Sequence, residues 1–164
     1  MISGRPERRF KNVFQQSFLG FLPLARKSGV IYHKIMEKGL AQIFREYQHV
    51  KLVYLFGSRA KNAVGPLSDY DFAIYSDDRN KAGLFDLKLE IQQKIAGYLK
   101  TDKVDVVVLN LTESPELKYN IIKDGKLIYD IEPYRTIVEP RILNEYFDFH
   151  YGLVKHGLTG ERQK

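Results

Sequence analysis

The hydrophobic positions of the chain fall into short β-rich runs, separated by longer stretches in which apolar residues recur at helical intervals. Three runs rich in β-branched and aromatic residues predict strands: KLVYLF at 51–56, DYDFAIY at 69–75 and KVDVVVLN at 103–110. KLIYD, at residues 126–130, predicts a fourth, shorter strand. The second run alternates apolar and polar residues, as expected when one face of a strand is buried.

Four helices are expected around these strands. Apolar residues at intervals of three and four predict an amphipathic first helix from about residue 35 and a long second helix over about 84–99. A third helix is predicted to begin at Ser114, a favourable N-cap residue followed by proline, and to end at Gly125. A final helical region covers about residues 133–154, where Pro140 is expected to introduce a kink. Strands and helices in this order predict a small α/β (α+β) domain.

Composition removes several classes of protein from consideration. The 164 residues include no cysteine, which excludes disulfides and thiolate metal sites and is consistent with a reducing, cytoplasmic compartment. No apolar run approaches the roughly 20 residues that a membrane-spanning helix needs. The four histidines share no metal-ligand spacing, so no role is assigned to them.

The net charge of +6 is concentrated at the start of the chain. Residues 1–35 contain seven Arg and Lys residues and one Glu, whereas the remainder carries equal numbers of basic and acidic residues. Nucleic-acid binding is therefore not expected of the rest of the chain, and a hypothesis of such a partner concerns this basic segment alone. Pro23 interrupts its short apolar run, and Arg26-Lys27 follow where a signal peptide has small residues. We interpret residues 1–35 as an extension, outside the natural domain if the start is Met36, and residues 36–164 as the functional domain.

Two aspartates suggest a metal-dependent site. Asp69 and Asp71 lie two residues apart on the second predicted strand, so their side chains share a face with Cα atoms about 6.6 Å apart. Their repulsion would be relieved by a hard divalent cation such as Mg²⁺, which prefers oxygen ligands and bridges carboxylates to phosphates. Gly57-Ser58, at the end of the first strand, could offer backbone N–H groups and a hydroxyl to those phosphates.

A third aspartate could complete this site. Asp105 interrupts the apolar run VDVVV, where an acid is costly without a partner, and its neighbours Val104 and Val106 should face the other side of the sheet. If the third strand pairs beside the second, the three carboxylates converge. Purely structural interpretations of these residues remain open. Asp69 and Asp71 would then be solvated residues at the start of a strand, Asp105 a buried structural acid and Ser58 a helix N-cap.

The spacing of these residues resembles a known superfamily. Gly57-Ser58, ten intervening residues and then Asp-x-Asp form the signature of the DNA polymerase beta superfamily of nucleotidyltransferases. More narrowly, GSRAKNAVGPLSDYDFAIY followed by KVDVVVLN resembles the minimal nucleotidyltransferases (MNT), many of which are antitoxins paired with a HEPN-domain toxin. The resemblance begins at about Met36. It implies a polymerase-beta-like fold with a mixed sheet of about four strands flanked by helices.

The resemblance also implies roles for these residues. Asp69, Asp71 and Asp105 would be the catalytic residues and would bind two Mg²⁺ ions, with Asp105 helping to activate the acceptor hydroxyl. Gly57 and Ser58 would hold the β and γ phosphates of ATP, and Arg59 and Lys61 are candidate triphosphate contacts or simply solvated cations. Many relatives have Ala-Arg-Gly where this chain has Ala60-Lys61-Asn62; Lys61 keeps a cation, and Asn62 tolerates the left-handed conformation that Gly favours.

The enzyme implied is a protein adenylyltransferase that transfers AMP from ATP to a tyrosine hydroxyl of a partner HEPN toxin, with no membrane involved. One alternative acceptor is a small-molecule hydroxyl, as in aminoglycoside nucleotidyltransferases. A second alternative is an antitoxin that binds its toxin stoichiometrically without catalysis.

Overall fold

The computed structural model of the chain describes residues 29–60 and 68–158. These residues form helix α1 (Gly29–Phe44), strand β1 (Val50–Phe56), the short helix α2 (Gly57–Ala60), strand β2 (Tyr70–Ser76) and helix α3 (Lys81–Leu99). Strand β3 (Val104–Val108), helix α4 (Pro115–Asp124), strand β4 (Lys126–Asp130) and helix α5 (Tyr134–Lys155) complete them.

The chain divides into two compact units between Gly39 and Leu40, within α1. The sheet and the helices from α2 onward all belong to the second unit. The predicted division into an extension of residues 1–35 and a domain of residues 36–164 concerns many residues outside the described part of the chain, and it stays a prediction. No helix among the described residues is long and apolar enough to cross a bilayer.

The four strands form one mixed sheet in the order β3-β2-β1-β4. Strand β1 is antiparallel to both β2 and β4, and β2 is parallel to β3. A parallel pair needs a crossover connection, which helix α3 supplies. The prediction of an α/β fold with a mixed sheet of about four strands and flanking helices is confirmed.

Both faces of the sheet are apolar, because helices cover both. On one face, Leu52, Tyr54 and Ala73 join Ile121 of α4 and the buried α5 residues in one buried cluster. On the other face, Phe72 contacts the ring of Phe44 at 6.3 Å between centroids, and α3 packs on β3 through its buried positions Leu84, Ile91 and Ile95. This two-sided burial holds β1 and β2 rigidly at the centre of the domain.

Several element boundaries differ from the predictions, among them those of α1 and β3. Helix α1 begins at Gly29 rather than at about residue 35. Strand β3 spans Val104–Val108 instead of 103–110, because the chain turns after Val108, where the N–H of Leu111 donates to the Val108 carbonyl. The side chain of Asn110 then bonds to both the N–H and the carbonyl of Ser76, at 3.0 and 2.8 Å. An amide side chain thus replaces the backbone ladder at the end of β2.

Candidate active site

The register of β2 and β3 brings two of the three candidate acids together. These strands pair in parallel with Asp71 opposite Asp105, so the two residues point to the same face of the sheet. Neighbouring strands lie about 4.8 Å apart. Asp69 immediately precedes β2, two residues before Asp71. The expectation that the third strand pairs beside the second is therefore met.

The burial pattern agrees with this arrangement. Val104 and Val106 are buried, whereas Asp105 between them is exposed, so Asp105 does not point into the interior. Asp69 is exposed and Asp71 is half-buried. Asp105 also has a structural contact, because its Oδ1 accepts a hydrogen bond from the N–H of Val106 at 2.9 Å.

The electrostatics of Asp71 show that the acids interact. Burial raises the pKa of Asp71, and the charges of Asp105 and Asp69 raise it further, while Arg59 lowers it in part. Like charges on adjacent strands destabilise one another unless a cation lies between them. This carboxylate cluster is therefore suited to receive positive charge.

Gly57 is fixed by the same cluster. Its φ of +72° lies in the left-handed region that favours glycine. A Cβ atom at this position would overlap with Oδ2 of Asp71. The backbone at Gly57 therefore lies in close contact with a carboxylate. Gly57 thus joins the end of β1 to the acids of β2.

Ser58 and Arg59 follow in the short helix α2. Ser58 is exposed, as a phosphate-binding hydroxyl must be. Arg59 donates hydrogen bonds from Nε to the carbonyls of Ser68 and Asp69, at 2.9 and 3.0 Å, and its guanidinium lies 3.6 Å from the centroid of the Tyr70 ring. Lys61, the other candidate cation, lies outside the described residues. Sequence reasoning missed Tyr70, which gives no signal other than its place between the two aspartates.

The donor set suits Mg²⁺, but its side chains do not surround one point. Among the residues that the structure describes, no three His, Cys, Asp or Glu side chains are placed to hold a metal ion. The hydrogen bond from Val106 directs one oxygen of Asp105 toward its own strand. The backbone register nevertheless places Asp71 beside Asp105, and a hard cation is the kind of ligand that would relieve the repulsion between their carboxylates.

Comparisons with known proteins agree with the fold, and the range matched by a family model includes the candidate site. The family model "Polymerase beta, Nucleotidyltransferase" matches residues 38–134, a range that includes all the candidate residues. A protein named "Protein adenylyltransferase MntA", from Aphanizomenon flos-aquae, is 30% identical over 96 residues, which cover 54% of this chain. The match spans 63% of the length of that relative.

Solved structures with the same fold come from toxin–antitoxin complexes. One, a toxin–antitoxin crystal structure with AMP-PNP, matches with a TM-score of 0.61 and 22% identity over 73% of this chain and 93% of that one. Another, tri-AMPylated Shewanella oneidensis HEPN toxin in complex with MNT antitoxin, matches with a TM-score of 0.58 and 21% identity over 74% and 92% of the two chains. With more than half of its residues matched by the family model, the chain belongs to the polymerase beta nucleotidyltransferase family.

Proposed function

We propose that this protein is an adenylyltransferase antitoxin, which transfers AMP from ATP to a tyrosine hydroxyl of a partner HEPN toxin. The observation that carries the proposal is the pairing of Asp71 with Asp105 on parallel strands, beside Gly57 and within two residues of Asp69. The similar adenylyltransferase and the similar complexes support the choice of nucleotide, reaction and partner. The absence of cysteine is consistent with a cytoplasmic site of action.

The reaction needs two groups brought together in one orientation. The acceptor oxygen attacks the α-phosphorus of ATP, a new P–O bond forms, and the bond from the α-phosphorus to the bridging oxygen breaks to release pyrophosphate. Asp105 takes up the proton that the hydroxyl loses, since it is the exposed carboxylate on the outer strand. Gly57 and Ser58 hold the β and γ phosphates at the end of β1. The rate enhancement comes mainly from positioning and charge stabilisation.

We expect two Mg²⁺ ions at this site, which would be held by Asp69, Asp71 and Asp105. When bound, this metal would neutralise the triphosphate and the carboxylates that otherwise repel each other. Without it, Asp71 carries a charge that its neighbours disfavour. The strand register supports this assignment for Asp71 and Asp105, which lie side by side on one face of the sheet, and Asp69 lies two residues before Asp71.

The exposed face of α5 is the surface that we assign to the toxin. Phe147, Tyr151 and Val154 recur at intervals of four and three, and they are 58%, 68% and 41% exposed. Exposed apolar side chains in one row are typical of a surface that a partner covers. The solved complexes with a similar fold favour the HEPN toxin as that partner.

The catalytic assignment can be tested with α-labelled ATP and the partner toxin. The double variant Asp69→Asn/Asp71→Asn should lose label transfer by at least about 100-fold, because it removes two of the three proposed ligands. Asp86→Asn, which changes an exposed aspartate on α3, should transfer label at the wild-type rate.

The same assay distinguishes the alternatives. Unchanged transfer by the double variant would refute the catalytic assignment. Full neutralisation of the toxin by that variant at equal concentration would instead support stoichiometric binding. Labelling of an aminoglycoside, with none on the toxin, would point to a small-molecule acceptor.

A further inference from the structure

We propose that Arg59 acts as a positioning residue, which joins the Gly57-Ser58 turn to Asp69 and to the start of β2, the strand that carries Asp71. This inference rests on the proposed function, because it assigns a role within that same site. It differs from the expectation that Arg59 contacts the triphosphate. The two roles make opposite predictions for a lysine at this position.

The first observation is the set of hydrogen bonds that Arg59 makes. Its Nε donates to the carbonyl oxygens of Ser68 and Asp69, and its Nη2 also donates to the carbonyl of Ser68. These acceptors are backbone atoms directly before β2. A guanidinium has a planar array of donors, and two of its nitrogens are directed here at one short segment of chain.

The second observation is the stacking of aromatic rings below the guanidinium. Cζ of Arg59 lies 3.6 Å from the centroid of the Tyr70 ring, and that ring is nearly parallel to Phe72, with an interplanar angle of 8° and centroids 6.5 Å apart. Phe72 is fully buried in the core. The guanidinium of Arg59 therefore contacts a ring that lies beside a buried core residue. It is held by this ring as well as by the two carbonyls.

Together these contacts connect the two halves of the site. Arg59 is two residues after Gly57 in the chain, and the residues it contacts come immediately before Asp71. A shift of about 1 Å in either half can lower a rate by 10²-fold. Arg59 therefore fixes the distance between the phosphate-binding turn and the metal-binding carboxylates. A lysine keeps the charge but has neither the planar donors nor the stacking surface.

The test compares Arg59→Lys with two changes at Tyr70, using AMP transfer measured over a range of ATP concentrations. We expect Arg59→Lys to lower kcat at least tenfold and to change the KM for ATP less than threefold. Tyr70→Leu, which removes the stacking ring without altering any charge, should show the same pattern. Tyr70→Phe keeps the ring and should stay within about twofold of wild type.

Opposite results would overturn the proposal. Near-wild-type kcat in Arg59→Lys, or a raised KM with unchanged kcat, would indicate a phosphate contact instead. Hydrogen exchange gives a second readout that does not depend on catalysis. Backbone amides of residues 68–72 should exchange at least fivefold faster in Arg59→Lys and Tyr70→Leu, while those of α5 should be unaffected. Unchanged exchange in both variants would refute the positioning role. Absence of AMP transfer by the wild-type protein would instead refute the proposed function and leave the exchange test valid.

Discussion

At the scale of single residues, the aspartates at the two ends of β2 have opposite electrostatic surroundings. Burial raises the pKa of Asp71, at the start of the strand, and its acidic neighbours raise that pKa further. Asp77, just past the other end, lies 3.1 Å from Nζ of Lys51 and 2.8 Å from Nδ1 of His49, and it accepts a hydrogen bond from Tyr134 at 3.0 Å. Unrelieved charge at one end is a feature of a binding site, and paired charge at the other end is a feature of structure.

The paired end gives a prediction about pH. Although some burial raises the pKa of Asp77, hydrogen bonds from His49, Lys51 and Tyr134 outweigh it and hold that pKa below its usual value. A lowered pKa in the folded state contributes stability above the unfolded value of about 3.9, and this contribution is lost as the pH falls through the folded value. Asp77→Asn should lower the free energy of unfolding at pH 7 by about 0.5–1 kcal/mol.

Denaturant unfolding at pH 7 and pH 3 checks this expectation. The difference between Asp77→Asn and wild type should shrink toward zero at pH 3. Asp86→Asn, whose aspartate is exposed on α3, should match wild type at both values. A difference that is equally large at both pH values would show that the lost stability is not ionic.

At the scale of elements, the sequence predicted the strands and helices well and their mutual contacts poorly. Alternation identified β2 and β-branched content identified β3, and the period of two correctly placed Asp105 on the opposite side of the strand from its buried neighbours Val104 and Val106. No local pattern shows that Phe56 pairs with Asp71, or that Arg59 lies on Tyr70, because such contacts depend on how separate elements pack. Even a correct boundary had an unexpected cause. Gly125 ends α4 with a φ of −76°, and a Cβ there would overlap with the Ile121 carbonyl.

The turn from β1 into α2 gives a prediction at this scale. Gly57→Ala would place a Cβ against Asp71 and force a non-glycine residue to a φ of +72°. We expect a loss of about 1–3 kcal/mol in unfolding free energy, together with reduced AMP transfer, since the displaced carboxylate belongs to the site.

Gly97→Ala is the matched control for this change. Gly97 lies in α3, and a Cβ added there meets nothing within 4 Å. Alanine should therefore raise stability by up to about 1 kcal/mol. Thermal unfolding of both variants measures the contrast. Equal stability of Gly57→Ala and wild type would show that the turn can relax.

At the scale of the whole molecule, the described surface includes several exposed large apolar side chains on α3 and α5. Phe147 on α5 and Phe85 on α3 are exposed to nearly the same extent, 58% and 59%. They differ in the length of the apolar row, because Phe147 is followed along one face by Tyr151 and Val154, whereas Phe85 is followed only by the exposed Leu89. The pair therefore provides a matched comparison for the surface that we assign to the toxin.

Phe147→Ser should weaken binding to the partner toxin at least tenfold, whereas Phe85→Ser should change the Kd less than twofold. A contiguous row of apolar residues contributes to an interface as a unit, and its large aromatic members contribute most. Calorimetric titration of each variant with the toxin measures the effect. Should Phe85→Ser prove the more damaging change, the docking surface would have to be moved to α3.

The parallel register of β2 and β3 has a consequence for changes in chain length. Because successive side chains of a strand alternate between faces, inserting or deleting one residue within Tyr70–Ser76 or Val104–Val108 would send one acid to the opposite face of the sheet. The crossover between these strands carries no such constraint, since extra residues in its loops leave the pairing of Asp71 and Asp105 unaltered. Insertions and deletions should therefore be tolerated in the loops of the crossover between β2 and β3, and not within the two strands that carry Asp71 and Asp105.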